Sequence, residues 1–244
     1  MIEAKNLTKR FGTLTAVSDV SFSIEPGIVV GFLGPNGAGK STTLRLLTGY
    51  LAPDGGTAQI RGHDITADRR RAQACLGYLP EAATGFPHLT VREILSFCGE
   101  SRGLRRKSLA AAIDKTCDRI ELRPALDQQM RTLSKGWRQR AWLAQAILLD
   151  PPVLILDEPT DGLDPNQKDQ VRAMIRSIAP EKAIILSTHI LEEVEEICDR
   201  VIMIADGRII ADGMLGNLTD TNGRLGSIFR RLTGDAQSTS ARLG

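Results

Sequence analysis

The sequence contains few cysteines, and no two of them lie close together. The four are widely spaced along the chain: Cys75, Cys98, Cys117 and Cys198. Because no Cys-x-x-Cys pair is present, the pattern argues against a zinc site. It also argues against the disulfide framework of a small secreted protein. We therefore expect four reduced cysteines that serve in packing.

Long apolar runs are also missing. The amino terminus, Met1 to Asn6, has no apolar stretch behind a basic start and is not typical of a secretory signal. The longest apolar segment, Ala141 to Leu149, is interrupted by Gln145 and falls well short of the roughly 18 residues that a membrane-spanning helix needs. We expect a chain that stays in the cytosol unless something else holds it to a membrane.

A charge excess is absent as well. The 31 Lys and Arg residues nearly balance the 29 Asp and Glu residues, which leaves a formal net charge of +2. Composition therefore does not support nucleic-acid binding. The 244 residues can bury a substantial core and fit one large domain, or one domain with an insertion.

The sequence does contain a glycine-rich segment between a predicted strand and a predicted helix. The apolar run Ile28 to Leu33 predicts a buried strand, and the leucines of Thr43 to Leu47 recur at helical spacing. Glycines let backbone N–H groups converge on one point, and the following helix directs its positive end there, so that a polyphosphate is bound. Lys40 would supply a mobile cation for the β- and γ-phosphates, and Ser41 a hydroxyl for Mg²⁺. The alternative is a purely structural turn. The predicted binding residues are Gly34, Pro35, Asn36, Gly37, Ala38, Gly39, Lys40, Ser41 and Thr42.

Two further apolar runs end in polar side chains. Val153 to Leu156 is followed at once by Asp157 and Glu158, and Ala183 to Leu186 is followed by a segment that ends at His189. Strands that are apolar on both faces indicate a parallel sheet covered by helices. Ligands of such sheets bind at the carboxyl ends of the strands. From the residues alone, the two acids could equally be a strand cap and the histidine a surface residue.

The remaining segments suggest how the chain is organised. Residues 1–33 predict strands and turns, and from Thr90 to about Leu149 a helical period suggests an insertion. A helix is predicted from about Pro165 to Ile178, and segments 201–204 and 209–211 predict a hairpin. A last helix is possible at Leu225 to Leu232, and the polar residues after it are expected to be disordered.

The order of motifs resembles the nucleotide-binding subunit of ATP-binding cassette (ABC) transporters over nearly the whole chain. Gly34 to Thr42 matches the Walker A motif, and Val153 to Glu158 matches Walker B. Leu133 to Trp137 is similar to the signature sequence, Gly162 to Asp164 to the D-loop, and Ser187 to His189 to the switch-histidine loop.

The resemblance implies an α/β fold of the ABC ATPase type. This fold has a P-loop NTPase core with a parallel sheet, an antiparallel β subdomain and a helical subdomain insertion. Residues 1–232 would form a single nucleotide-binding domain, with the helical subdomain at approximately 86–150, and residues 233–244 would be a disordered tail.

The resemblance also implies roles for individual residues. Asp157 would hold Mg²⁺ through water, with Ser41 and Glu81 as the other residues of the metal site. Glu158 would be the general base that polarises the attacking water. His189 would contact the γ-phosphate and support the transition state.

Phe11 has two possible roles. On spacing alone, packing within the small sheet is favoured for an aromatic residue. The resemblance instead implies stacking on adenine, at a position where the family usually has tyrosine. Phenylalanine has the same aromatic ring face for stacking.

The signature sequence implies a site shared between two subunits. In the family, Ser134 and the N-terminus of the helix after Gly136 would address the γ-phosphate bound to the opposite subunit. Each chain would then contribute two half-sites. The expected assembly is a homodimer, or a pair with a paralogous cassette, that closes head-to-tail on two ATP molecules and opens after hydrolysis.

The implied function is an ATPase that energises transport through a separate polytopic membrane subunit, with ATP and Mg²⁺ bound. The chain would be cytoplasmic and peripheral on the cytoplasmic face of the cell membrane. The helical insertion around Phe86 to Arg105 would receive a cytoplasmic helix of the membrane subunit. No nucleic-acid partner is expected.

The sequence departs from the family pattern at three further positions. Glu81 stands where most members have glutamine, Lys135 replaces the first signature glycine, and Trp137 replaces the usual polar residue. The variants at Glu81 and Lys135 together resemble the branch that serves ABC-2 type exporters, including gliding-motility and multidrug-resistance groups, and this favours export.

Two other functions stay open at this point. The first is a soluble, non-transport ABC ATPase that acts on the ribosome, DNA or cofactor assembly. Ribosome-acting relatives usually carry two cassettes, and DNA-repair relatives insert a long coiled coil, whereas here only the segment from Thr42 to Leu133 separates Walker A from the signature. The second is a kinase or GTPase, for which the guanine-reading Asn-Lys-x-Asp is lacking.

Overall fold

The chain folds around two β-sheets with helices against them, as seen in a computed structural model that describes residues 1–81, 85–219 and 224–240. The strands are β1 Ile2–Phe11, β2 Leu14–Ile24, β3 Val29–Leu33, β4 Gly55–Ile60, β5 His63–Asp64, β6 Leu76–Leu79, β7 Val153–Asp157, β8 Ala183–Thr188, β9 Arg200–Ala205 and β10 Arg208–Met214. The α-helices are α1 Lys40–Leu47, α2 Arg69–Ala74, α3 Val91–Ser101, α4 Arg106–Arg119, α5 Lys135–Ile147, α6 Pro165–Ile178, α7 Leu191–Ile197 and α8 Gly226–Ser240.

The larger sheet has the strand order β10-β9-β3-β8-β7-β6. Its strands pair in parallel except for β10, which forms an antiparallel hairpin with β9. Every residue of β3, β7 and β8 is buried, as expected for strands apolar on both faces. In register, Leu33 lies opposite Thr188 and Asp157 opposite Ser187. The segments that follow β3, β7 and β8 therefore leave the sheet at one edge.

The smaller sheet is antiparallel, with the strand order β2-β1-β4-β5. Strands β1 and β2 form a hairpin in which Phe11 pairs with Leu14 at the turn. The inner face of this sheet packs with one face of the larger sheet in a single cluster that includes Phe22 and Phe32, whose ring centroids are 5.9 Å apart. The predicted combination of a parallel core sheet with an antiparallel β subdomain is confirmed.

Helices α3, α4 and α5 form the predicted helical insertion between β6 and β7. Helix α3 begins with a capping box, because the Thr90 side chain accepts from the Glu93 amide and the Glu93 carboxylate accepts from the Thr90 amide. Leu95 and Leu122 are fully buried here, and each such side chain contributes about 1.5–3 kcal/mol over an exposed one.

The carboxyl-terminal helix is longer than the sequence predicts. We expected a helix at Leu225 to Leu232 and disorder after it, whereas α8 runs from Gly226 to Ser240. Residues 233–240 thus continue the helix, and 241–244 lie outside the described residues. Leu225 is fully buried, and Phe229 and Leu232 pack against the main core, which anchors the start of α8.

Two remaining features of the fold are the state of the cysteines and the length of the helices. All four cysteines are free, and Cys117 and Cys198 are buried. Within the described ranges, no helix combines the length and the apolar character needed to cross a bilayer.

Candidate functional site

The glycine-rich loop connects β3 to α1 and contains two glycines at positions where the surrounding backbone leaves no room for a side chain. A Cβ atom on Gly34 would clash with the carbonyl oxygen of Ile204, and one on Gly39 would lie 2.5 Å from the carbonyl oxygen of Ala16. Gly39 also has a φ of +102°, a left-handed conformation that side chains disfavour. The loop is therefore packed tightly against β9 and β2, with the N-terminus of α1 at its end.

Lys40, the first residue of α1, is held over this loop. Its side chain is buried, and Nζ donates to the carbonyl oxygens of Gly34 at 2.8 Å and Pro35 at 3.2 Å. Burial lowers the pKa of Lys40, while the carboxylates of Glu158, Asp157 and Glu81 oppose that shift. The predicted phosphate-binding cation thus lies close to the predicted metal and base residues.

Ser41, Glu81 and Asp157 bring oxygen atoms together beside the loop. Ser41 Oγ lies 3.2 Å from Asp157 Oδ1 and 3.3 Å from Glu81 Oε2. Asp157 is fully buried at the end of β7, and its Oδ1 also accepts from the Ser187 hydroxyl. Burial raises the pKa of Asp157, and the bonds from Ser187 and Ser41 oppose the rise.

The same three residues have the chemistry of a magnesium site. The second Asp157 oxygen, Oδ2, is buried and has no hydrogen-bond partner among the described residues, although buried carboxylate oxygens are normally paired. Mg²⁺ prefers oxygen ligands and binds through one or two carboxylates together with water and substrate phosphates. The residues present fit that ion, even though no group of three His, Cys, Asp or Glu side chains that could hold a metal occurs in the described part of the chain.

Glu158 and His189 form a pair at the same sheet edge. Glu158 has a φ of +51°, and its amide N–H lies 3.1 Å from the Ser187 carbonyl oxygen and 3.2 Å from the Ser187 hydroxyl. This left-handed conformation costs a non-glycine residue about 1–2 kcal/mol. The Glu158 carboxylate is buried, and its Oε1 lies 2.9 Å from Nδ1 of the half-exposed His189. Burial raises the pKa of Glu158, and the contact with His189 lowers it.

Most of the predicted site residues line one cleft of about 340 Å³. Phe11 is half exposed at its edge, with Lys9 Nζ 5.6 Å from the ring centroid. The cleft is lined by Phe11, Leu14, Ala16, Asn36, Gly37, Gly39, Lys40, Ser41, Thr42, Glu81 and Glu158. Sequence reasoning missed Leu14 and Ala16. The available signal for Leu14 was the short hairpin turn that follows Phe11, because this turn pairs Leu14 directly with Phe11.

The signature residues lie apart from that lining. Ser134 is exposed and caps the N-terminus of α5, where its Oγ accepts from the Trp137 amide at 3.3 Å. Gly136 is buried against α6, since an added Cβ would lie 2.5 Å from Gln167 Oε1. Among the described residues, the cleft lining includes neither Ser134 nor Gly136.

Helix α5 is nevertheless connected to the site through Gln139, which sequence reasoning also missed. Its Nε2 donates to the carbonyl oxygens of Glu158 at 3.1 Å and Pro159 at 3.2 Å. The start of α5, only two residues after Trp137, is thus tied to the segment that holds the predicted base. This contact joins positions about 20 residues apart, and motif spacing gives no signal for it.

The arrangement supports two chemical tasks. A glycine-rich loop at a helix N-terminus, with a lysine over it, can bind a polyphosphate. A buried carboxylate beside a histidine can orient and deprotonate a water molecule. Both lie at one cleft, next to oxygen ligands suited to a divalent cation.

Comparison with known proteins agrees with this geometry. Residues 17–161 match the family model described as "ABC transporter". Nod factor export ATP-binding protein I of Burkholderia lata is 39% identical over 213 residues, which cover 87% of this chain and 70% of that protein. The daunorubicin/doxorubicin resistance ATP-binding protein DrrA of Streptomyces peucetius is 36% identical over 241 residues, which cover 97% of this chain and 72% of that protein.

Solved structures show the same fold. A structure described as the ATP binding subunit of an ABC transporter matches with a TM-score of 0.85 and 29% identity over 96% of this chain and 99% of that one. The dimeric structure of MJ0796, a bacterial ABC transporter cassette, matches with a TM-score of 0.82 over 88% of this chain and 99% of that one. Its identity is 23%, so this second likeness concerns the fold alone.

Proposed function

The chain belongs to the ABC transporter family as an ATP-binding and ATP-hydrolysing subunit, and we propose that it drives export through a separate membrane-spanning partner. The observation that carries the proposal is the single cleft in which the glycine-rich loop, Lys40 and Glu158 meet. The relatives that point to export are named for Nod factor export and for drug resistance. The membrane-spanning partner would select the exported substrate.

In this proposal the loop and α1 bind the triphosphate of ATP. The amides of the loop and the N-terminus of α1 point at the phosphates, and Lys40 exchanges its two carbonyl partners for the β- and γ-phosphate oxygens. Phe11 and Leu14 offer an apolar surface on which adenine stacks. An aromatic stacking contact of this kind is worth about 1 kcal/mol.

We propose that Mg²⁺ is held by Ser41, Asp157 and Glu81. The unpartnered Oδ2 of Asp157 is the observation in favour, because a cation would satisfy it. When bound, the ion would neutralise negative charge on the phosphates. The Ser41 hydroxyl and the Glu81 carboxylate lie within 3.3 Å of each other, so both can face the same ion.

Glu158 is the proposed general base. A carboxylate whose pKa is raised toward the working pH accepts a proton from water more effectively than an ordinary glutamate. His189 holds the carboxylate through the 2.9 Å contact and lies on the exposed side, where it can also meet the γ-phosphate. The chain would therefore orient the water from one side and the phosphate from the other.

Ser134 and Gly136 act on ATP bound to a second chain in this proposal. Ser134 is exposed at the start of a 13-residue helix, and in the described part of the chain it does not line the cleft. A head-to-tail pair would bring this helix N-terminus to the partner's phosphates. The pair consists either of two copies of this chain or of this chain and a paralogous cassette, and either pair closes on two ATP molecules.

We propose that the membrane partner docks on the helical insertion. Phe86 and Phe97 are both about half exposed, and their ring centroids are 5.8 Å apart. Aromatic residues, including phenylalanine, are enriched in protein interfaces relative to the rest of the surface. Docking here would hold the chain peripherally on the cytoplasmic face of the membrane.

The experiment that tests the proposal uses Glu158→Gln, with Glu181→Gln as a control at an exposed glutamate. We expect ATP to convert Glu158→Gln into a stable dimer on a sizing column and turnover to be lost, while the control behaves as the wild type. A Glu158→Gln variant that stays monomeric with ATP and keeps its turnover would remove the base and the two-chain site together.

The membrane partner needs its own test. A tagged chain recovered from membranes in mild detergent should carry a polytopic protein with it, and Phe86→Ala with Phe97→Ala should abolish that recovery without changing ATP binding. Recovery of no polytopic protein by the wild-type chain would count against the transport proposal.

A further inference from the structure

Glu193 is a buried carboxylate on α7 that has no assigned role in the proposed binding or hydrolysis of ATP. Its relative exposure is 1%, so it is hidden from solvent and from the cleft. Oε1 accepts from the Thr160 hydroxyl and from Lys168 Nζ at 3.1 Å. Oε2 accepts from the Thr188 hydroxyl at 2.8 Å. Three donors therefore converge on one side chain.

The partners of Glu193 come from the segments that carry the proposed catalytic pair. Thr160 follows Glu158 by two residues, and Thr188 directly precedes His189. The Thr188 hydroxyl also accepts from the Ile190 amide at 3.1 Å, so it bridges both sides of the histidine. One carboxylate thus connects the chain beyond β7 to the chain beyond β8.

Lys168 adds a third segment to this connection. It lies in the first turns of α6, and its ammonium group supplies the charge that a buried carboxylate needs. Helix α6 begins at Pro165, and only residues 161–164 separate it from Thr160. The position of α6 is therefore tied to the same carboxylate as the Glu158 and His189 segments.

We propose that Glu193 is a positioning residue that sets the relation between Glu158 and His189 and couples it to α6. This inference rests on the proposed roles of that pair. Because none of the hydrogen bonds of Glu193 among the described residues goes to a residue that lines the cleft, its loss should leave ATP binding intact and slow the chemical step. A misplacement of about 1 Å in a reacting group can lower a rate by roughly 100-fold.

Hydrogen-bond chemistry indicates which variants are informative. Glu193→Gln keeps the shape but offers one acceptor oxygen and an NH₂ group, so it cannot accept from all three donors. Thr188→Val keeps the shape of Thr188 and removes its hydroxyl, whereas Thr188→Ser restores a hydroxyl at that position. Glu192→Gln is the matched control, because Glu192 is the exposed neighbour on the same helix.

The test measures kcat and KM for ATP, nucleotide binding and thermal unfolding for each variant. We expect Glu193→Gln and Thr188→Val to lower kcat roughly 10- to 100-fold with KM and nucleotide affinity within about twofold. Thr188→Ser should recover most of the rate, and Glu192→Gln should match the wild type. A purely structural role would instead lower the unfolding temperature and nucleotide affinity together, and serine would give no selective rescue.

The outcomes separate this inference from the proposed function. If Glu158→Gln abolishes turnover while Glu193→Gln and Thr188→Val both keep the wild-type kcat, the positioning role is wrong and the proposed function stands. If Glu158→Gln keeps its turnover, the proposed function fails first. Should Glu193→Gln fail to fold, Thr188→Val against Thr188→Ser decides the question alone.

Discussion

His189 Nδ1 lies 2.9 Å from Glu158 Oε1, and this contact joins the ends of two strands that are neighbours in the sheet. Two opposing effects act on the Glu158 carboxylate: burial raises its pKa, and His189 lowers it. The pair therefore offers a way to test the proposed base through the pH dependence of the rate.

We predict that His189→Ala lowers kcat and moves the acidic limb of the pH–rate profile to higher pH. The base must be ionised, so activity falls as pH drops through its pKa, which lies above the ordinary value of about 4.3. Removing His189 removes the group that lowers the pKa of Glu158, so the acidic limb should move to still higher pH. The loss of kcat should be at least about tenfold. His63→Ala is the control, since His63 pairs with Asp68 away from the cleft. A limb that moves to lower pH would contradict the assignment.

The second prediction concerns Phe11. Phe11→Ala should weaken ATP binding about fivefold, which corresponds to the loss of about 1 kcal/mol of stacking. Binding of inorganic tripolyphosphate, which has no base, should be unchanged. Calorimetric titration of both ligands checks this, with Phe97→Ala as a control at an exposed aromatic outside the cleft lining. Equal weakening for both ligands would mean that Phe11 supports the loop and does not stack.

The third prediction concerns the packing of α5 on the sheet. A Cβ atom on Gly77 in β6 would clash with the carbonyl oxygen of Ala146 and lie 2.9 Å from Leu154 Cδ2. Because neither backbone can move freely in a packed core, Gly77→Ala should cost about 1–3 kcal/mol of the free energy of unfolding. Gly216→Ala is the matched control, since its added Cβ meets no atom of the described residues within 4 Å. Equal denaturation midpoints for the two variants would show that α5 can shift to make room.

The elements that position the site are the ones that the sequence predicts well. Strands β3 and β7 are apolar on both faces, so their burial could be read directly. Helix α6 has the predicted bounds because Asp164 and Gln167 form a capping box around Pro165. Local chemistry fixes such elements, and neighbouring residues carry the signal.

The contacts that hold the site together were beyond sequence reasoning. Gln139 reaches the Glu158 carbonyl, and Glu193 reaches Thr160, across 19 and 33 positions respectively. Such contacts depend on how helices pack on the sheet, and a polar residue on a helix gives no sign of its distant partner. The continuation of α8 past Leu232 was missed for another reason, since glycine, serine and threonine are poor helix formers.

The last prediction concerns Asp150, which joins the helical insertion to the sheet. Its carboxylate accepts from Lys182 Nζ at 2.9 Å, and from Lys115 and Arg119 of α4 at 3.3 Å. The hydrogen bond from Lys182, followed by those from Arg119 and Lys115, holds the pKa of Asp150 well below its ordinary value. A carboxylate with a depressed pKa stabilises the fold above the pKa of the unfolded chain, about 3.9, and that stability is lost as pH falls through the lower folded value.

Asp150→Asn should therefore be less stable than the wild type at pH 7, and the difference should shrink as the pH falls below about 4. Asparagine tolerates the φ of +52° at this position, so the comparison isolates the charge. Because the Asp150 side chain is 46% exposed, solvent screening limits the difference at pH 7 to about 1 kcal/mol. Thermal unfolding at several pH values measures it, with Glu192→Gln as a control at an exposed carboxylate. A gap that stays constant from pH 7 to pH 3 would mean that the three cations gain nothing from the ionised carboxylate, and that the insertion is held to the sheet by its apolar contacts alone.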